Sequence, residues 1–317
     1  MTEKRIADIG AGDEVQGFFL IRECSPRVSS GNKLYLDIQL MDDTGEMNAK
    51  YWEAQEADVQ AYVPGTIVKL RGVVQLFQNK LQLRISKLRP AVETDGVRTE
   101  TFVPSAPWEA GWMLEQIEGY VAAMTTPDLR RLCQAFIDRY RTPLLYYPAA
   151  KSNHHAIRSG LLYHILRMLQ AGERLLTVYT HLNRDLLMTG VLLHDLAKIE
   201  EMEAGELGMV KTYTKPGQLL GHLIQGIALV DRLGRELEVS EEWLLLVQHM
   251  ILTHHYEPEF GSPKKPMIPE GELLHYLDMI DARMYDMENA LTGVEAGGFS
   301  EPVWSLDRRR IYRPDVD

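Results

Sequence analysis

The sequence predicts a two-domain protein, a small five-stranded β-barrel followed by an all-α domain. Apolar residues alternate with period two up to about residue 92 and take a helical period from about residue 108 onward. Between these stretches, residues 93–107 (ETDGVRTETFVPSAP) gather Pro, Gly and Thr and read as a linker. A chain of 317 residues, 45% hydrophobic and 25% charged, has material for two separate cores. The expected boundaries are 1–92 for the barrel, 93–107 for the linker, 108–296 for the helical domain and 297–317 for a C-terminal tail.

The first strand is EVQGFFLIREC. In KLYLDIQLMD, Leu34, Leu36, Ile38 and Leu40 alternate with polar or amphipathic residues, the pattern of a half-buried strand. Asp43-Thr44-Gly45 supplies a turn, and GEMNAKYW resumes an extended pattern. WEAQEADVQAYV reads as a helix that Pro64-Gly65 ends, and TIVKLRGVVQLF returns to strand. Gln78-Asn79 marks a hairpin before LQLRIS, where Leu81, Leu83 and Ile85 alternate. Five strands with a helix between the third and fourth give the element order of an OB-fold barrel, which commonly binds oligonucleotides through strands 2 and 3. Helices are expected at 108–124, 127–141, 156–178, 184–202, 219–236, 240–256 and 270–292, with Asn183 and Ser240 as N-caps. GELGMVKTYTKPG, after the fourth of these, reads as a loop or short hairpin.

The net charge of −11 hides an uneven distribution. Residues 1–92 carry 12 Lys+Arg against 12 Asp+Glu, so the whole excess of acid lies in the remainder. Within residues 59–92 stand Lys69, Arg71, Lys80, Arg84, Lys87 and Arg89 with no acidic residue, a patch able to meet a polyanion. Tyr35 and Tyr51 offer stacking faces for bases, as does Phe77. From these residues the candidate nucleic-acid contacts are Tyr35, Tyr51, Arg71, Lys80 and Arg84. Cys24 and Cys133 have no metal-like spacing and read as reduced thiols of a cytoplasmic protein. MTEKRIADIG lacks the apolar segment of a signal peptide, and no apolar run is long enough to span a membrane.

All ten histidines fall in the helical half. His164 lies in GLLYHILRM, the His194-Asp195 doublet in VLLHDLAK, His222 in LLGHLIQG, His254-His255 in ILTHHYEPEF and Asp278 in LLHYLDMIDA. Burying this many polar groups in apolar runs is costly unless they pair or meet an ion. Asp195 either holds its neighbouring imidazole as a structural pair or shares an ion with it.

The ordered series of a histidine, a His-Asp doublet and a distal aspartate resembles the HD-domain metallophosphohydrolases. The further histidine in HLIQG and the pair in LTHH resemble their two-metal subset. An OB-like domain ahead of such a domain, with HHAIRSGLLYH, PGQLLGH and FGSP, resembles the YhaM-type 3′-to-5′ exoribonucleases, from about residue 14 to about residue 313.

That resemblance implies one metal on His164, His194, Asp195 and Asp278 and a second on Asp195, His222, His254 and His255, with Asp195 as the catalytic bridge. The cofactor it implies is a divalent transition metal, two per chain, with Mn ahead of Fe, Co, Ni and Zn. It also implies that Lys198 faces the substrate phosphate; the alternative is a surface lysine paired with Glu201 or Glu203. Asp281 and His155 read as supports behind the ligands, with His249 and His275 as further supports or substrate contacts. His154 and His181 read as surface residues. The implied activity is 3′-to-5′ hydrolysis of single-stranded RNA, with single-stranded DNA as a further substrate. A cyclic-nucleotide or nucleotide phosphohydrolase, and a nucleic-acid-binding regulator without turnover, are the other readings. A membrane partner is not expected, and a homo-oligomer stays open.

Overall fold

Strands β1 (Glu14–Val28), β2 (Leu34–Asp42), β3 (Gly45–Tyr51), β4 (Ile67–Phe77) and β5 (Lys80–Pro90) close into a barrel in the order β1-β2-β3-β5-β4. This computed structural model describes residues 4–98, 101–152 and 154–316, so Thr99 and Glu100 of the expected linker lie outside the described residues. The chain divides into two units, 1–104 and 105–317. In the barrel every neighbouring pair is antiparallel except β3–β5, and α1 (Glu56–Ala61) lies between β3 and β4. This is the expected OB arrangement. Alternation sends Leu36, Ile38, Ala49, Leu70, Leu83 and Ile85 to the interior, while Tyr35, Asp37, Asn48 and Lys50 stand outside. The hairpin joining β4 and β5 turns on Gln78 and Asn79, both left-handed with φ of 48° and 63°, the hand that matches strand twist.

The second unit is built of α2 (Ala110–Ala122), α3 (Pro127–Leu144), α4 (Gly160–Leu176), α5 (Arg184–Leu193), α6 (Lys198–Glu201), α7 (Lys215–Glu236), α8 (Glu241–Thr253) and α9 (Pro269–Ala290). Its centre is α5, where every residue from Asp185 to Leu193 is buried and α3, α4, α8 and α9 pack around it. Gly190 permits that packing, because a Cβ there would lie 2.2 Å from Met250 Cε on α8. The Asn183 side chain accepts from Leu186 N at 3.0 Å and starts α5 as expected. At Ser240 the side chain makes no cap bond; the Asp128 carboxylate accepts from Ser240 N at 2.9 Å instead.

Three elements differ from the sequence expectation. The helix expected over 184–202 breaks after Leu193: residues 194–197 form turns, and Lys198 N donates to Asp195 O across three residues. The stretch VLLHDLAK contains neither Gly nor Pro, so local propensity continues the helix where the fold turns it. The stretch after α6, read as a loop or short hairpin, is a hairpin of β6 (Met202–Ala204) and β7 (Val210–Tyr213). Helix α7 begins at Lys215 rather than 219, because Thr214 Oγ1 accepts from Gly217 N at 2.9 Å and Pro216 sits in the first turn. The segment expected as a tail folds back on itself: Ser300 N donates to Ile311 O and Arg313 N to Gly298 O, over a fully buried Leu306. Among the described residues no helix is long and apolar enough to cross a membrane.

Candidate metal centre

Five segments deliver side chains to one point. Helix α4 brings His164, the turn after α5 brings His194 and Asp195, and the C-terminal end of α8 brings His254 and His255. Helix α9 carries Asp278 and, one turn on, Asp281. Helix α7 brings His222 through a kink at Gly221, whose φ of 68° and ψ of 168° belong to a region essentially reserved for glycine.

Asp195 sits at the middle. Its Oδ2 lies 3.4 Å from His194 Nε2 and 3.9 Å from His164 Nε2. Its Oδ1 lies 3.4 Å from His222 Nε2 and 3.7 Å from His254 Nε2. Asp278 Oδ1 is 3.4 Å from His164 Nε2.

The opposite ring nitrogens are tied down. His194 Nδ1 donates to Val191 O at 2.8 Å, His254 Nδ1 to Ile251 O at 2.8 Å and His255 Nδ1 to Phe260 O at 2.6 Å. A carbonyl only accepts, so each of these Nδ1 atoms carries the proton and each Nε2 presents a lone pair. His164 Nδ1 meets the Asp281 carboxylate at 2.8 Å and His222 Nδ1 meets Glu201 at 3.2 Å, with the same consequence.

The residues fit a divalent metal. Asp195 Oδ1, His222 Nε2 and His254 Nε2 are buried, and among the described residues none has a hydrogen-bond partner. His164 Nε2 and His194 Nε2 face each other at 3.3 Å, a clash of lone pairs that only a cation or a proton relieves. Asp195, His222, His254 and His255 form one cluster of ligand atoms, and His164, His194 and Asp195 form another.

Burial opposes charge on Asp195, but Lys198 and His194 hold its carboxyl well below the usual carboxylate range. Burial likewise opposes charge on His164, yet Asp278 and Asp281 push it up to about 9, so an ion at that ring displaces a proton. Burial takes His254 down to about 3, leaving its lone pair free at neutral pH. Asp195, His222, His254, His255 and Asp278 line a cleft of about 610 Å³.

A family model for the HD domain matches residues 161–283, and one for an OB-fold nucleic acid binding domain matches residues 21–91. A Geobacillus protein named 3′-5′ exoribonuclease YhaM is 38% identical over 98% of this chain and 95% of its own length. The Bacillus subtilis protein of that name is 37% identical over 96% of both chains, and the Oceanobacillus iheyensis one 38% identical over 96% of both. The chain belongs to the YhaM family.

In this YhaM-family chain all seven expected metal positions come together. Asp281 stands behind them: its Oδ2 accepts from His155 Nε2 at 2.7 Å as well as from His164, while Arg167 Nε approaches Oδ1 at 2.5 Å. Burial pushes His155 down to about 4. Lys198 pairs with neither Glu201 nor Glu203; its Nζ lies 2.6 Å from Asp195 Oδ2, inside the cleft. His275 donates through Nδ1 to His254 O at 2.8 Å and lines the cleft. His249 is not part of the centre, since its Nε2 accepts from Met267 N at 2.9 Å. His181 is exposed as expected, but His154 lines the cleft 6.4 Å from the His164 ring. From the sequence Glu201 enters only as an alternative partner of Lys198 and Arg167 not at all, since both look like surface charges on helices.

In the barrel, Tyr35 stands on the outer face, stacked on Trp52 at 4.4 Å with Lys50 Nζ 5.7 Å from its ring. Arg84 is exposed next to Lys50 in the β3–β5 register. Tyr51 turns to the inner side and packs edge-on to Tyr62 and against the core, so the exposed aromatic there is Trp52. Arg71 pairs with Glu14 at 3.2 Å, and Lys80 lies at the hairpin end of β5, on the same side of the strand as Gln82 and Arg84.

Proposed function

We propose that this chain is a metal-dependent 3′-to-5′ exoribonuclease, in which the barrel holds single-stranded RNA and the helical centre hydrolyses the phosphodiester at its 3′ end. Asp195 carries the reading, because each of its oxygens faces its own set of imidazole lone pairs. Two divalent ions, one on His164, His194, Asp195 and Asp278 and one on Asp195, His222, His254 and His255, would polarise the phosphate and lower the pKa of an attacking water. We put Mn first among the metals that suit mixed imidazole and carboxylate donors.

The chain's own residues do the rest. The carbonyls of Val191, Ile251 and Phe260, with Asp281 and Glu201, hold five rings in one tautomer and orientation, so the site needs no reorganisation during the reaction. Lys198 places a fixed positive charge in the cleft beside Asp195, where the scissile phosphate gains negative charge. On the barrel, Tyr35, Trp52, Lys50 and Arg84 combine stacking with charge on strands β2, β3 and β5.

The test uses the full-length, metal-analysed protein with 5′-labelled oligonucleotides carrying free or blocked 3′ ends, as RNA and as DNA. Stepwise mononucleotide release from RNA with a free 3′ end, and little from the blocked strand, is expected. Internal cuts in the blocked strand, or turnover of cyclic or free nucleotides with none of RNA, would overturn the proposal.

A further inference from the structure

The cleft has walls that the metal cluster does not use. Lys151 Nζ lies 5.6 Å from the centre of the Tyr213 ring, and both line the cleft. Ser305 and Asp307 also line it, and the neighbouring Trp304 is 72% exposed with the Arg308 guanidinium 4.1 Å from its ring centre.

The segment that carries Trp304 is a built turn. Leu306 is wholly buried beneath it, Arg308 N donates to Val303 O at 2.9 Å, and Arg309 Nε donates to Leu306 O at 2.9 Å. Asp307 and Arg308 are consecutive non-glycine residues with φ of 60° and 59°, a strained arrangement that persists only when its surroundings impose it. Asp307 is held between Arg283 at 3.6 Å and Arg309 at 3.7 Å. Arg283 stands five residues beyond Asp278 on α9, about 7.5 Å along the helix axis. The turn therefore fixes a large apolar ring in solvent, beside a cleft, under a guanidinium. Burial alone favours the reverse.

We propose that the turn 303–309 is a nucleotide-stacking edge of the cleft: Trp304 takes the face of a base adjoining the scissile phosphate, and Arg308 and Arg283 meet the neighbouring phosphates. The Tyr213–Lys151 pair, lining the same cleft, offers the strand a second ring and cation. This deepens the exoribonuclease reading and rests on it. Stacking accepts every base, so the grip is indifferent to sequence, as stepwise degradation requires.

The test compares wild-type full-length protein with Trp304→Ala, Trp304→Phe and Arg308→Glu on a single-stranded pentaribonucleotide and on bis(p-nitrophenyl) phosphate, a diester without bases. Affinity for the pentamer is measured separately in excess chelator, where no turnover occurs. For Trp304→Ala, KM and the chelator Kd for the pentamer should both rise roughly 5- to 150-fold. The preference for pentamer over base-free diester should fall by a similar factor, Trp304→Phe should recover most of it, and Arg308→Glu should weaken the pentamer selectively. A pentamer Kd within twofold of wild type in Trp304→Ala, or equal losses on both substrates, would overturn the stacking edge. A wild-type protein that cleaves the diester but no RNA defeats the exoribonuclease reading instead, and the Kd comparison still decides the edge.

Discussion

In the helical unit His164, His194, Asp195 and His254 are all nearly inaccessible, and each ring is tied through Nδ1 to a fixed acceptor. On the barrel the proposed contact groups stand in the open: Trp52 is 41% exposed, and Arg84 is exposed on a strand face. One region holds polar groups at a desolvation cost that only an ion or a partner offsets. The other holds them where water already satisfies them. A change at the first should act all at once, and a change at the second should act by degrees.

The largest effect expected is that of Asp195→Ala. It removes both oxygens around which the imidazoles gather, so bound metal should fall from two ions to none and turnover by about a thousandfold or more. Two retained ions with retained turnover would erase the contrast between the regions. Next, His222→Ala should remove about one ion per chain and roughly a hundredfold of activity, with the fold kept. Unchanged metal content would make His222 a packing residue. Asp281→Asn should weaken metal affinity by about 10- to 100-fold, because the amide cannot accept from His155 and His164 together while meeting Arg167. Isothermal titration with Mn measures it, and an unaltered affinity would sever Asp281 from the centre.

The smallest expected effect lies on the barrel. Charge reversal of Arg71, Lys80 and Arg84 together should raise KM for long single-stranded RNA by roughly tenfold with kcat near wild type. Each lost phosphate contact should also flatten the log–log salt dependence by about 0.7. A wild-type slope would move the backbone contacts to other residues, with Lys50 beside Tyr35 the first to test.

The same contrast decides what was legible in the sequence. Histidines inside apolar runs are anomalies that mark the site, and the resemblance to the HD-domain family, carried by their order along the chain, is what groups the seven proposed ligands before any geometry. The barrel strands were readable for the same reason, through strict alternation in LYLDIQL and LQLRIS. What holds the rings was not readable. The acceptors at Val191, Ile251 and Phe260 are backbone carbonyls, which carry no sequence signal, and Arg167 and Glu201 look like ordinary helix-surface charges. The break after Leu193 was equally hidden, since VLLHDLAK has no residue that ends a helix. Tyr51 and Trp52 are adjacent, and which of them faces out depends on where the strand stops.

Asp195 has one further consequence, in the currency of cooperativity. Two ions bound as proposed would share a single carboxylate, with the Lys198 ammonium already on one of its oxygens. The first ion to bind draws on charge that the second also needs, and adds two positive charges a few ångströms away. The second ion to bind must then bind more weakly than its site would allow alone, and the coupling is reciprocal: each ion weakens the hold on the other by the same factor.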